Sequence, residues 1–430
     1  MSRLILWFYA LAMRLASGTL RNWLRERAEA GKEDMGRIAE RRGRDMTFRP
    51  PGPVIWLHAA SVGEVTSIFP VIDILRVRPG LRVLVTTGTR TSARMVDRHI
   101  RAAESVRIVE HRFIPLDVPL WVARFIEHWK PAVFGVVESE LWPNLLRAAK
   151  DQGVPMLLIN ARMSDRSYRR WRRLRGVAKL VLGNFNEIMA QSDEDAERLR
   201  KLGGQHVSFP GNLKFAAPML PVDAGELARV RYRLGDRPVW VAASTHPGEE
   251  RIAAAVHRTL RDEFPGLVTI IVPRHPERGE EIAAEIAKRE KDVLVTRRVL
   301  GEPPPLGGIW LGDTLGELGL FYRLSRTAFV GRSLAVGGGQ NPIEPARLGV
   351  AVAIGPMTEN FADAVAILKH EGALVEVADQ DALVAHVRDM LSHPEKADAM
   401  GAAGQAAAAR AADLPDLVAA RLLTLAGLTA

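Results

Sequence analysis

The chain has no cysteine among its 430 residues. Disulfides, thiol nucleophiles and thiolate metal sites are therefore excluded. The eleven histidines show no HExxH or comparable ligand spacing, which argues against a structural zinc site. Low-complexity segments and obvious internal repeats are also missing. Acidic excess is lacking: 59 Lys and Arg stand against 50 Asp and Glu, for a net charge of +9. That balance suggests an anionic partner, whether nucleic acid, acidic lipid or phosphorylated substrate, and it also suits a mildly basic soluble enzyme.

Long hydrophobic runs are scarce. The run LILWFYALAM covers Leu4 to Met13 and is interrupted by Arg14. It is too short to span a bilayer. Ala16-Ser17-Gly18 is a poor cleavage site, which disfavours a removed signal peptide. Arg3, Arg14, Arg21, Arg25 and Arg27 flank the run, as an anionic membrane surface favours. Residues 1–27 are expected to form an uncleaved hydrophobic anchor or interfacial helix. An amphipathic helix packed on the following domain is the alternative.

At this length two domains are the default. From Pro53 onward apolar runs of strand length alternate with helical stretches. The strands are expected at 54–58, 82–86, 132–137, 155–159 and 187–190, with helices at 64–76, 91–102, 141–151 and 194–202. The stretch from Phe209 to Pro238 is rich in proline, holds only a short helical piece and reads as the connection. Alternation restarts with strands at 239–243, 268–272, 293–295, 327–330 and 349–356. An Ala-rich helical tail follows over 381–425. This pattern predicts α/β architecture, with parallel sheets covered on both faces in two doubly wound domains. The expected boundaries are 28–215, a linker at 216–238, and 239–430. Two such domains would face each other across a cleft, with ligands at the carboxyl ends of the strands.

Polar clusters fall where strands should end. His58-Ala59-Ala60-Ser61-Val62-Gly63-Glu64 is the first. Its small residues open space, and Glu64 sits at a helix start, where its carboxylate can take a proton from a hydroxyl. The helix terminus is expected to keep it ionised. An ordinary helix-start carboxylate is the plainer reading. Glu138-Ser139-Glu140 at another strand exit suggests polar substrate binding, against simple capping around Pro143. Lys214, at the start of the connection, can neutralise developing negative charge, or it is a solvated loop lysine.

The second half offers Ser244 and Thr245, candidates for phosphate binding. Pro273 and Arg274 can pack against a base. Gly312 to Leu318 is a further loop–helix start. Ordinary loop and cap chemistry competes for each. The richest stretch is Gly337-Gly338-Gly339-Gln340-Asn341-Pro342-Ile343-Glu344. Its glycines permit close backbone approach, and the helix beyond them is expected to bind phosphate. Glu344, in the first turn, can accept from ribose hydroxyls. Glycine, acid and flanking buried strands together read as a nucleotide-sugar site.

Arg162, Arg166, Arg169, Arg170, Arg172, Arg173 and Arg175 crowd one stretch, with Tyr168 and Trp171 among them. They suit an anionic lipid head group. Nucleic acid competes, since aromatics among arginines can stack bases, and for some of these arginines a solvated helix face suffices.

The blocks HAASVGEV, TTGTRTSA, ESELWPNLL, NARMSDRSYRRW, GNLKF, ASTHPGEE, VPRHPER, GDTLGELG and GGGQNPIEPA run in order from residue 58 to 346. Together they resemble the Kdo transferases, which add 3-deoxy-D-manno-octulosonic acid (Kdo) to a lipid A precursor. The resemblance extends over essentially the whole chain and is specific as a combination. It implies a GT-B fold of two Rossmann-like domains, with a C-terminal helix crossing back. It implies CMP-Kdo as donor, no metal or other cofactor, and no nucleic-acid partner. By motif, Glu64 is the implied general base, with Glu138 and Lys214 assisting the transition state. CMP contacts carry over to Pro273, Arg274, Leu315, Gly316, Glu317, Asn341, Pro342, Ile343 and Glu344, with Ser244 and Thr245 beside them. Arg162, Arg166, Arg169 and Arg170 are the expected acceptor-phosphate contacts. The implied location is the cytoplasmic face of the inner membrane. Gln340 departs from the family pattern, which often has His there. Asp193-Glu194-Asp195 and Asp379-Gln380-Asp381 match a metal-binding Asp-x-Asp, but both read as helix starts. Two alternatives stay open: a GT-B enzyme handling a UDP-sugar, as transferase or epimerase, and a non-enzymatic nucleotide- or nucleic-acid-binding module.

Overall fold

The computed structural model describes residues 1–44, 47–103, 108–216 and 219–428. The chain divides into two compact units: Met1–Ala217 with Ala411–Ala430, and Pro218–Arg410. Each is built on a seven-stranded sheet, with every strand pairing parallel.

In the first unit the strands are β1 (Val54–His58), β2 (Arg82–Thr87), β3 (Val109–Phe113), β4 (Val133–Val137), β5 (Met156–Ala161), β6 (Glu187–Ala190) and β7 (Val207–Ser208), in spatial order β3-β2-β1-β4-β5-β6-β7. The chain moves outward from β1 to β3, then returns to place β4 on the other side of β1. The strand order therefore reverses between β1 and β4, where α/β sheets open a crevice at their carboxyl ends. Strand alternation divides the core. Trp56, Phe134, Val136, Met156 and Leu158 fill one face, with Trp56 stacked on Phe134 at 3.6 Å. Ile55, Leu57, Val133, Val137, Leu157 and Ile159 fill the other.

The second unit has β8 (Val239–Thr245), β9 (Val268–Pro273), β10 (Val295–Arg297), β11 (Gly308–Leu311), β12 (Thr327–Val330), β13 (Ala351–Ile354) and β14 (Leu374–Glu376), in order β10-β11-β9-β8-β12-β13-β14. Its reversal lies between β8 and β12. Trp240, Ala242, Ile271 and Phe329 pack on one face, and Val241, Ala243, Ile270 and Trp310 on the other.

Several sequence expectations are corrected. The tail is three helices, Gln380–Ser392, Pro394–Ala409 and Leu414–Leu425. The last belongs to the first unit, so the boundary 239–430 does not hold. Its Leu414, Val418, Leu422 and Leu423 are buried on the Leu57/Leu157 face. The expected linker 216–238 holds the helix Ala224–Leu234, whose Val230 and Leu234 join the second unit's core. The strand expected at 293–295 lies at Val295–Arg297. Strands β3, β7, β11 and β14 were not anticipated. β3 reads VEHRF and alternates buried with half-buried positions, as suits an edge strand whose polar residues hide it from an apolar-run search.

The N-terminus forms two short helices, Ser2–Leu15 and Ser17–Glu29. The first buries no residue and exposes Leu4, Trp7, Phe8 and Leu15. Among the described residues no helix is long and apolar enough to cross a membrane. The second helix runs past residue 27 and seats Leu24 against Val118 and Trp121. Tyr9 donates its hydroxyl to Asp117 at 3.0 Å, and Asp117 in turn caps the helix Pro143–Asp151 through the Asn144 and Leu145 amides.

Gly135 marks where the C-terminal helix closes on β4. A Cβ there would meet Leu57 Cδ2 at 2.8 Å, Ile159 Cδ1 at 2.9 Å and Leu422 Cδ2 at 3.2 Å. Overpacking of this kind costs about 1–3 kcal/mol. Gly135→Ala is therefore expected to lower stability by about that amount in denaturant unfolding. Removing residues 411–430 is expected to destabilise the first unit further, since each buried aliphatic side chain contributes roughly 1.5–3 kcal/mol.

Candidate active site

In the first unit the site assembles at the strand reversal. β1 ends at His58, and Ser61 caps the helix Val62–Arg76 by accepting from the Glu64 amide at 3.3 Å. The Glu64 carboxylate turns back and accepts the Ala60 amide at 2.8 Å through Oε2. Its other oxygen has no hydrogen-bond partner among the described residues. The residue is only 8% exposed. Burial, and then the negative charge of Glu138, push its pKa above the ordinary carboxylate value, outweighing the Ser61 and Ala60 hydrogen bonds. The helix terminus, expected to keep Glu64 ionised, is thus opposed by burial and by Glu138. Glu64 does act as a cap, and that capping bond is also what holds it in place.

Across the reversal, β4 delivers Glu138 in a left-handed conformation, φ +58°. Its amide donates to the Ile159 carbonyl at 2.9 Å, and its carboxylate meets Lys214 Nζ at 2.6 Å. Lys214 lies in the tight turn Leu213–Ala216 and is no free loop lysine. Asn160, also left-handed at φ +52°, accepts the Leu213 amide at 2.8 Å. Asn212 accepts the Lys214 amide at 3.0 Å. The Glu138–Lys214 pair is therefore built from both its ends.

Glu140 completes the cluster. It accepts the Trp142 indole N–H at 2.7 Å and lies 3.7 Å from His58 Nε2. Burial works against its charge, but the His58 and Trp142 contacts hold its pKa below the ordinary value. The sequence motifs contain His58, Asn160 and Asn212 without marking their roles. An Asn at the end of a strand was the available clue, because Asn tolerates the left-handed region.

The arginine stretch folds as the helix Asp165–Arg173, capped by Ser164. Arg166, Arg169 and Arg170 are exposed on it, and Arg162 precedes it, half-buried. The Arg162 carbonyl accepts the Ser139 hydroxyl at 3.1 Å, tying this loop to the Glu138–Glu140 segment. Asp195 accepts the Met163 amide at 2.6 Å and the Ser192 hydroxyl at 2.7 Å. Asp379 caps its helix through the Ala382 amide. Both Asp-x-Asp matches thus serve local structure. No group of three or more His, Asp or Glu among the described residues is arranged to hold a metal ion.

In the second unit the expected donor residues gather at the carboxyl ends of β8, β9 and β12 and in the loop after β11. Ser244 is left-handed, φ +54°. Thr245 is fully buried and donates to Glu250 at 3.2 Å. Its hydroxyl faces the protein, which removes it from the phosphate-binding set. Glu249, 1% exposed, accepts four backbone amides: His246 and Arg332 through one oxygen, Ser333 and Leu334 through the other, at 2.7–3.0 Å. This carboxylate locks the exit of β8 to that of β12. Gly331 permits the approach, since a Cβ there would lie 2.6 Å from the Ser244 carbonyl oxygen.

The glycine loop differs from expectation. The Gly338 amide donates to the Met357 carbonyl at 3.2 Å and the Gly339 amide to the Arg332 carbonyl at 2.7 Å. Gly338 and Gly339 have φ of +117° and +70° and lie against Asn360 and Thr358. The Gly338 amide thus ties this loop to the one at Met357, the Gly339 amide closes back on its own loop, and both are spent. The helix beyond is the single turn Ile343–Arg347, and the Ile343 amide already donates to Asn341 Oδ1 at 3.1 Å. A phosphate cradle of free amides is not formed at these positions.

Glu344 does sit in that first turn, 3.2 Å from Asn341 Nδ2. Burial pushes its pKa up, while Asn341 and the nearby Arg274 oppose the shift. Pro273 is buried at the end of β9, and Arg274 is exposed beside it. Leu315 is 85% exposed and precedes Gly316, φ +83°. Glu317 makes a two-pronged pair with Arg298, at 2.7 and 3.1 Å. Gly316 and Glu317 border a cavity of about 220 Å³ with Pro221 and Asp223.

Comparison with known proteins gives consistent results. Residues 33–217 match the family model described as 3-deoxy-D-manno-octulosonic-acid transferase (kdotransferase). The chain is 34% identical to the 3-deoxy-D-manno-octulosonic acid transferase of Haemophilus influenzae, over 86% of each chain. It is 33% identical to the enzyme of that name from Bordetella pertussis, over 93% of this chain and 94% of the other. Among solved structures, the UDP-GlcNAc 2-epimerase of Neisseria meningitidis aligns over 86% of this chain and all of its own, with a TM-score of 0.57 and 15% identity. That likeness shows the fold alone, and with the two parallel sheets it gives the GT-B class. The chain belongs to the 3-deoxy-D-manno-octulosonic acid transferase family and is a glycosyltransferase of lipopolysaccharide biosynthesis.

Proposed function

We propose that the enzyme transfers Kdo from CMP-Kdo to the 6′-hydroxyl of lipid A precursor (lipid IVA), with inversion and with Glu64 as general base. The observation that carries this reading is the buried Glu64 carboxylate, oriented by one amide and set beside the Glu138–Lys214 pair. Glu64 takes the proton of the attacking hydroxyl as that oxygen bonds to the anomeric carbon of Kdo. The bond from that carbon to the phosphate oxygen breaks, and CMP leaves with the electron pair. A carboxylate whose pKa is raised is the stronger base, and such proton transfer contributes about 10²–10⁴-fold. Lys214, held by Glu138, offers positive charge as negative charge develops.

Pro273, Arg274, Leu315–Glu317 and Asn341–Glu344 are the proposed CMP contacts, with Ser244 beside them. Arg274 is the cation best exposed to meet the departing phosphate, and the reaction as written calls on no metal. Arg162, Arg166, Arg169 and Arg170 are proposed to hold the acceptor's phosphates. The exposed apolar residues of Ser2–Leu15 support an interfacial attachment at the cytoplasmic face of the inner membrane. Lying in the interface suits a 14-residue helix better than spanning, because about 20 residues are needed to cross.

Glu64→Gln is expected to fold normally and to lose about 10²–10⁴-fold in kcat; normal turnover by this variant would remove Glu64 as the base. The pH profile gives a second check. Because the Glu64 pKa is raised, the rising limb of kcat/KM should lie above the ordinary carboxylate range. Glu138→Gln removes a negative charge beside Glu64, so the Glu64 pKa falls and the limb moves to lower pH. A limb unmoved by Glu138→Gln would break the proposed coupling. Replacing Trp7 and Phe8 together with Ser is expected to weaken vesicle binding in a flotation assay without altering transfer in detergent.

A further inference from the structure

Three separate segments of the first unit meet at one small contact and bring an unusual concentration of positive charge with them. Leu24 of the helix Ser17–Glu29 packs on Trp121 of the helix Pro119–Trp129. Gly43 lies on the same helix so closely that a Cβ would fall 2.0 Å from the Trp121 carbonyl oxygen. Arginines flank each of the three contact residues. Arg21 and Arg25 lie three before and one after Leu24, Arg42 and Arg44 bracket Gly43, and Arg124 is three beyond Trp121. Arg21, Arg25 and Arg44 are exposed, while Arg42 and Arg124 are half-buried. Arg42 Nε is buried and has no hydrogen-bond partner among the described residues. No ion pair forms at any of the five among those residues. Asp45 lies outside them, and a single carboxylate would still be outnumbered five to one.

Converging guanidiniums repel. Burial, and then Arg44, Arg21, Arg124 and Arg25, depress the Arg42 pKa. Yet the packing of Leu24, Gly43 and Trp121 holds together the three segments that carry these arginines. A multivalent anion relieves such repulsion, and planar guanidiniums match phosphate oxygens in two-pronged geometry. The neighbouring helix Ser2–Leu15, on the same unit, exposes Leu4, Trp7, Phe8 and Leu15, so the anion best placed to reach the cluster is one carried at a lipid surface.

We propose that Arg21, Arg25, Arg42, Arg44 and Arg124 form a binding site for the phosphate of a membrane lipid headgroup, separate from the acceptor-binding arginines of the Asp165–Arg173 helix. The proposal rests on the membrane attachment read above and gives it a specific polar contact. Apolar insertion alone would hold the enzyme at any bilayer, whereas this site would make attachment depend on anionic lipid.

The test uses the full chain and vesicles of phosphatidylcholine, alone or with an anionic phospholipid, read by flotation. The double variant Arg42→Gln/Arg124→Gln should bind anionic vesicles about 30-fold more weakly, from roughly a kcal/mol per surface cation. It should keep its transfer rate in detergent and its thermal stability. A control, Arg78→Gln/Arg101→Gln, removes two exposed arginines elsewhere on the same unit and should change binding little. Equal losses in both variants would mean diffuse attraction and overturn the site, as would unchanged binding in the first. Inorganic phosphate is the second arm. If it raises the Tm of the wild type but not of the Arg42/Arg124 variant, and anionic vesicles discriminate nothing, the site takes soluble phosphate and the lipid assignment falls. If the wild type binds vesicles of neither composition, the membrane reading itself fails. Binding to neutral and anionic vesicles alike would leave that reading standing and overturn this one.

Discussion

The crowding of negative charge at the strand reversal of the first unit is the constraint on which the rest of the site depends. Glu64, Glu138 and Glu140 come from the two strand exits that flank the reversal. Burial raises the energy of each ionised carboxylate, and their mutual repulsion adds to it. The fold offsets this with placed counter-groups: Lys214 against Glu138, His58 and Trp142 against Glu140, and one amide against Glu64. Glu64 is left the least compensated, with its proton affinity raised. The proposed role of Glu64 as base draws on that condition, which burial and the neighbouring charge create.

Backbone strain follows the same sites. Glu138, Asn160, Ser244 and Arg332 all adopt left-handed conformations without being glycine. Each stands at or just beyond the end of β4, β5, β8 or β12. Such residues cost of order 1–3 kcal/mol each and persist where surrounding structure over-determines them. Here Asn160 is fixed by the Leu213 amide, and Arg332 by the Glu249 carboxylate. The strain turns side chains or amides at strand exits into directions a relaxed strand would not give them.

Much of this was legible in sequence, unevenly. Central strands such as β1 and β12 stand out because they are buried on both faces and read as unbroken apolar runs. Edge strands do not: β3 carries polar outer residues, and β14 is only three residues long. The motifs singled out Glu64, Glu138 and Lys214, but not the raised pKa of Glu64. Burial and inter-residue charge depend on which strands are neighbours, and a helix-start argument sees only local sequence. The glycine loop shows the converse failure. Three glycines signal close approach, but only the fold reveals that the approaching partner is the loop at Met357–Asn360. From periodicity alone the C-terminal helix looks like a continuation of the tail; its return was implied only by the family resemblance, and Leu422 against Gly135 shows it.

The most direct test of the account is the mass of the lipid product. The protein would be incubated with tetraacylated lipid A precursor and CMP-Kdo generated in situ, beside Glu64→Gln. The account expects a gain of Kdo on the lipid with the wild type and almost none with the folded variant. No gain with the wild type, while CMP still binds, would contradict the proposed donor and acceptor pair; equal gain with Glu64→Gln would contradict the mechanism.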